Sequence, residues 1–157
     1  MKKLCILLSL SLLSLLFILS ACQPSRRRIL RSIGDCVSSE QYSSEGFQDY
    51  TDYAKYHIPN AKIADNRYLK RIDDAGQALL LECLEDFERW IATYRTHDPV
   101  PPIAAYYDFD RSCIDQEDYL YIDAERFDDS ESSSLASFNV YFFDIQTETL
   151  YYFHNNL

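Results

Sequence analysis

From Asp74 to Tyr94 the apolar residues recur at intervals of three and four: Ala75, Leu79, Leu80, Cys83, Leu84, Phe87, Trp90, Ile91 and Tyr94. That is the period of an α-helix with one broad apolar face, so the stretch predicts a helix laid on a sheet or on a second helix. Asp73 stands where an N-cap belongs, and Asp74 suits the positive end of the helix. Glu85 and Arg89 are spaced for a helical ion pair worth only ~0.2–0.5 kcal/mol. His97-Asp98-Pro99-Val100-Pro101-Pro102 then ends the helix, because proline cannot donate to helix or ladder.

Beyond the prolines the period changes from 3.6 to 2. Ile103–Phe109 predicts a strand, and Asp118–Asp123 a second one with Tyr119 and Tyr121 on one face. Phe127–Ser137, rich in acids and serine, reads as an exposed loop. Phe138–Ile145, the turn Gln146-Thr147-Glu148 and Thr149–His154 predict a hairpin. Tyr141, Phe142 and Phe143 make both of its faces aromatic, one for the long helix to cover. Upstream, Phe47, Tyr50, Ala54 and Ile58 fall at helical spacing before Pro59, so Glu45–Ile58 predicts a first helix. Tyr68–Ile72 fits either a short strand or the lead-in to the long helix. The expected fold is α+β: one or two helices on a three- to four-stranded antiparallel sheet that ends in a C-terminal hairpin.

Composition narrows the function classes. Three glycines in 157 residues leave no room for a Gly-rich phosphate loop. From Ser32 onward nine basic residues stand against 25 acidic ones, a balance that repels nucleic acid. Cys36, Cys83 and Cys113 lack Cys-x-x-Cys spacing, so no zinc or redox motif is present. They allow at most one intramolecular disulfide, and Cys83 falls on the apolar face of the long helix. Asp108-Phe109-Asp110-Arg111-Ser112 opens like a calcium loop, but Cys113 and Tyr119 stand where the EF-hand needs glycine and a bidentate glutamate. Another oxygen-rich cation site drawn from Asp108, Asp110, Asp115, Glu117 and Asp118 remains open. His57, His97 and His154 have no metal-ligand partner three or four residues away. No nucleophile elbow or zinc-protease signature occurs. No catalytic residue, metal ligand or cofactor is assigned.

The N-terminus speaks of location. Lys2 and Lys3 precede an apolar run from Leu4 to Leu19, then come Ser20, Ala21 and Cys22. A positive head, an apolar middle and small residues make a secretory signal peptide. Leu19-Ser20-Ala21-Cys22 resembles the lipobox of bacterial lipoproteins. The resemblance covers residues 1–22 only. It implies cleavage between Ala21 and Cys22 and a diacylglycerol thioether on Cys22, which anchors the protein at the extracytoplasmic face of a cell membrane. Two acyl chains hold stably where one holds marginally.

The expected layout is a signal peptide over 1–21, a flexible lipidated tether over 22–44 with a helical turn near Ile29–Ile33, and one domain over 45–157. Arg26, Arg27, Arg28 and Arg31 lie in the tether, where each contributes ~1 kcal/mol against anionic headgroups. Headgroups would attract this tether and repel the acidic body, so the domain is expected to stand off the membrane. The reading that follows is a membrane-anchored, non-catalytic binding or interaction domain for an unknown envelope ligand or protein. Tyr42, Tyr53 and Tyr56 make a tyrosine-rich flank, which on such a domain suits glycan or peptide, since each ring offers a face and a hydroxyl. The alternatives are a small envelope hydrolase with Asp and His in a cleft and an acidic cation-binding module.

Overall fold

The computed structural model describes residues 24–44, 50–94, 103–127 and 135–156. Ala21, Cys22 and His97 lie outside the described residues, as do the rest of the signal segment and the proline cluster. The fold is α+β, with helices α1 (Arg26–Ile33) and α2 (Asp74–Tyr94) and one six-stranded antiparallel sheet. The strands are β1 (Ser38–Ser43), β2 (Tyr50–His57), β3 (Lys70–Arg71), β4 (Tyr119–Arg126), β5 (Leu135–Asp144) and β6 (Thr149–Asn156). Their order across the sheet is β1-β2-β6-β5-β4-β3, so the hairpin β5–β6 forms the centre.

The long helix forms as its period dictates. The Asp73 carboxylate accepts the Gly76 N–H at 2.7 Å and caps α2. Leu80, Cys83, Leu84, Phe87 and Ile91 are buried against Tyr53, Val140, Phe142 and Phe153 of the sheet. Arg89 pairs with Asp86, at 2.6 Å and one turn back, rather than with Glu85. Asp86 is itself buried, so the nearer acid offers the less hydrated contact.

The opposite face is covered as well. Ile29 and Ile33 of α1 are fully buried against Ala54, Tyr56, Tyr141, Phe143, Leu150 and Tyr152. With both faces covered, a strand carries apolar residues at odd and even positions alike.

This corrects the expected helix over Glu45–Ile58. Its described part, Tyr50–His57, is strand β2, paired with β1 on one side and β6 on the other. Thr51 and Tyr53 are buried under α2, and Ala54 and Tyr56 under α1. Tyr50, Ala54 and Ile58 recur every four residues, an even spacing that keeps one face of a strand as readily as one face of a helix. Tyrosine and threonine favour the pleated state, and Pro59 ends a strand as readily as a helix.

The expected tether is corrected too. Much of residues 22–44 is built into the fold as α1 and β1. Four arginines conceal the Ile29–Ile33 pair, one turn apart, that seats α1. β1 is nearly all exposed at the sheet edge, and a polar edge strand looks like a loop in sequence.

Ile103–Phe109 is not a strand. Ile103–Ala105 is a 3₁₀ turn, and the chain then runs as a strap fixed by side chains. Tyr106 stacks on Tyr42 with ring centroids 4.2 Å apart, and the Tyr107 hydroxyl donates to Glu88 at 2.7 Å. Phe109 sits edge-on to Phe142, Tyr151 and Phe153 at 4.8–5.5 Å. Of Tyr68–Ile72, Lys70 and Arg71 form a two-residue strand against β4.

Candidate functional site

The register draws polar and aromatic rows across the α1 face of the sheet. Ser43, Asp52, His154, Asn139 and Asp123 are successive partners in one row. Ala54, Tyr152, Tyr141 and Tyr121 form the next. The N-terminal end of α1 stops where the two rows meet. The result is an open cleft of about 250 Å³, floored by Tyr121, Tyr141, Tyr152, Asp123 and Asn139 and walled by Pro24–Arg26.

Tyr121 and Tyr141 have ring centroids 5.9 Å apart, and Tyr141 and Tyr152 have them 4.9 Å apart. The Arg26 guanidinium lies 4.8 Å from the centroid of the Tyr152 ring, a cation–π contact. The Tyr152 hydroxyl donates to the Asn139 amide oxygen at 3.0 Å. Burial pushes the Tyr121, Tyr141 and Tyr152 phenols up, so all three stay neutral hydroxyls at physiological pH. Burial also raises Asp123, and the charge of Glu125 adds to it. Tyr141 and Tyr152 are buried, so the cleft offers the half-buried Tyr121 ring beside the Asp123 carboxyl and the Arg26 guanidinium, on a floor braced by the Tyr152–Asn139 hydrogen bond.

The histidines are placed elsewhere. His154 is buried, and its Nδ1–H donates to the Phe138 carbonyl at 2.9 Å. Its Nε2 has no hydrogen-bond partner. Burial lowers its pKa against the opposing pull of Asp52. His57 lies on the α2 face in a polar depression with Lys55, Glu40 and Tyr151. Lys55 there pairs with Glu40 at 3.1 Å and Asp108 at 2.7 Å. Neither described histidine forms the histidine–carboxylate hydrogen bond that an Asp/His hydrolase needs.

The acids of the 108–118 segment fix the backbone and do not converge. The Asp108 carboxylate accepts from Lys55 and from the Tyr53 hydroxyl at 2.8 Å. Burial works to raise its pKa, and those two donors outweigh it and hold the group low. Asp110 accepts the Ser112 N–H and caps a 3₁₀ turn. Asp115 accepts from the Glu117 N–H and the Gln146 side-chain amide. The Asp118 carboxylate takes the Asp115 and Ile145 N–H groups at 2.9 and 3.0 Å, binding the start of β4 to the hairpin turn. Among the described residues no three of His, Cys, Asp or Glu are disposed to hold a metal ion.

Cys36, Cys83 and Cys113 are free thiols. Of the four N-terminal arginines, Arg26 belongs to the cleft, and Arg27, Arg28 and Arg31 are exposed on the outer face of α1. No described helix is long and apolar enough to cross a membrane. Comparison with protein-family models, curated proteins and solved structures gives no match.

Sequence reasoning missed the cleft as a unit. The period of two puts Tyr119 with Tyr121, and separately Tyr141 with Phe143, on common faces. Which strand lies beside which depends on pairing between distant segments, and no local pattern encodes that.

Proposed function

We propose that the chain is a membrane-anchored bacterial lipoprotein whose folded domain is a non-catalytic, extracytoplasmic binding module. The tyrosine cleft is its ligand site. The lining of that cleft carries the reading, with three tyrosines beside Asp123, Asn139 and Arg26. The half-buried Tyr121 ring packs against the C–H face of a sugar, and the Asp123 carboxyl and Arg26 guanidinium beside it exchange hydrogen bonds with the sugar's hydroxyls. An envelope glycan is the ligand class that fits. The lipobox resemblance at Leu19–Cys22 supports the anchoring, since it implies a lipidated N-terminus on a domain that faces the envelope.

Two measurements test this. A Cys22→Ala chain is expected to keep its signal segment, lose the acyl mass and no longer carry a lipid anchor. A variant with an unchanged, fully lipidated mass would overturn the anchoring. Titration with envelope oligosaccharide fragments, followed by NMR of the tyrosine rings, reads the cleft. Tyr121→Ala is expected to weaken binding roughly tenfold, since a ring contact of this kind contributes about 0.5–1.5 kcal/mol beyond its area. Fragments that leave the Tyr121, Tyr141 and Tyr152 signals unmoved would sink the cleft as the site.

A further inference from the structure

Four cations on the α2 side are neutralised: Lys55 by Glu40 and Asp108, Arg89 by Asp86, Arg111 by Glu88 and Arg126 by Glu82, each at 2.6–3.1 Å. Lys70 and Arg71 of the edge strand β3 are exposed and make no ion pair among the described residues. On the α1 side Arg27, Arg28, Arg31, Lys62 and Arg67 are all exposed and make no ion pair among the described residues.

The fold gathers these five. At about 100° per residue, Arg27, Arg28 and Arg31 point away from the buried Ile29 and Ile33. The Lys62 N–H bonds the Ile33 carbonyl at 2.7 Å, and the Asn66 amide donates to the Ser32 carbonyl at 3.0 Å. Those bonds hold the 61–67 loop against the C-terminal end of α1, around an open groove of about 710 Å³ lined by Ser32, Lys62 and Arg67 among others. Asp35 and Asp65 are the exposed acids nearest in sequence, so positive charge dominates here on a protein that is acidic overall.

We propose that Arg27, Arg28, Arg31, Lys62 and Arg67 form one rigid cationic face that seats the domain on anionic lipid phosphates, with α2 turned outward and the tyrosine cleft, at the N-terminal end of α1 on the same side, opening along the headgroup layer, so that the glycan it takes is one carried at that surface. This rests on the anchor at Cys22, and it replaces the expectation of a domain that stands off. The arginines are bolted to the sheet through Ile29 and Ile33, so attraction at α1 brings the whole domain down. Three residues separate Cys22 from Arg26, and the four steps of chain span at most about 15 Å, which leaves α1 close to the surface where the lipid enters. Charge complementarity does the rest, because each Lys or Arg near an anionic surface favours it about fivefold.

The test uses the chain as it matures in an expressing bacterium, reconstituted into phosphatidylcholine vesicles with or without phosphatidylglycerol. A fluorophore goes on exposed Cys36, or on Ala92→Cys of the outer α2 surface in a Cys36→Ser background. Energy transfer to a labelled headgroup reads each distance. The Cys36 probe is expected to lie nearer the bilayer than the Ala92→Cys probe in anionic vesicles, with the difference shrinking in zwitterionic vesicles and in high salt. Lys62→Gln/Arg67→Gln should lower the equilibrium constant for seating roughly 25-fold. Ala75→Glu/Ala78→Glu, which shifts net charge equally, should leave it unchanged. Equal transfer in both lipids, or equal effects of the two double variants, would overturn the proposal. Washing separates the anchor from the face. A chain that stays on both vesicle types without a preferred orientation keeps the anchor and loses the cationic face. A chain held only by anionic vesicles, and released by Lys62→Gln/Arg67→Gln, loses the anchor and keeps the face.

Discussion

His154 shows how a residue's chemistry follows from its neighbours. It packs among Tyr50, Tyr152 and Asn139, with Asp52 beside it in the row and its Nδ1–H spent on Phe138. Burial disfavours the imidazolium, so the folded pKa lies below the ordinary 6.5. The unfolded chain then binds the proton more tightly. The contribution to stability is whole above the ordinary value and is lost as pH falls through it toward the folded one. Thermal melts between about pH 7 and about pH 5 should show the midpoint falling with pH. The fall should be shallower in His154→Phe, and an identical slope in both proteins would contradict this account. None of it is legible in sequence. There, His154 is the last residue of a hairpin strand, and its burial depends on β2 lying beyond β6. Asp118 is the same case in reverse, for it reads as a calcium-loop acid and acts as a backbone staple.

At the scale of elements, local pattern and tertiary context divide cleanly. The α2 helix was legible because its one-sided stripe and its Asp73 cap are both local. β4 was legible because its period of two survives, and β5 and β6, apolar on both faces, were legible because two aromatic-rich runs flank a clear turn. β2 was not, since a strand buried on both faces loses the alternation that marks it. α1 was not, since eight residues with four arginines carry too little apolar signal to name a docked helix. Its energetics now make a sharp test. Ile29→Ala or Ile33→Ala removes a fully buried side chain and should cost about 2–4 kcal/mol in urea unfolding. Residues of a free tether would cost nothing, so a loss within error of zero would return α1 to that role.

For the molecule as a whole, one sheet serves two cores, and neither core survives without it. The α2 core and the α1 core share every central strand. The two should therefore unfold in a single transition. The cysteines report it. Burial pushes the Cys83 and Cys113 thiols up to about 12, whereas Cys36 is exposed. Thiol titration in rising urea should find Cys36 reactive throughout. Cys83 should become reactive at the midpoint where the tyrosine near-ultraviolet signal is lost, and earlier exposure would show that the α2 layer opens alone. The sequence by itself determined the α+β class, the long helix, the C-terminal strand pair and the imbalance of charge, because each is written in neighbouring residues. Only the tertiary structure decided that the sheet has six strands, that the basic segment packs onto it, and that three tyrosines meet Asp123, Asn139 and Arg26. Those outcomes depend on strand pairing between residues up to about a hundred positions apart, such as Asp52 with His154. Register of that kind is set by burying both faces at once, which no single stretch of chain can specify.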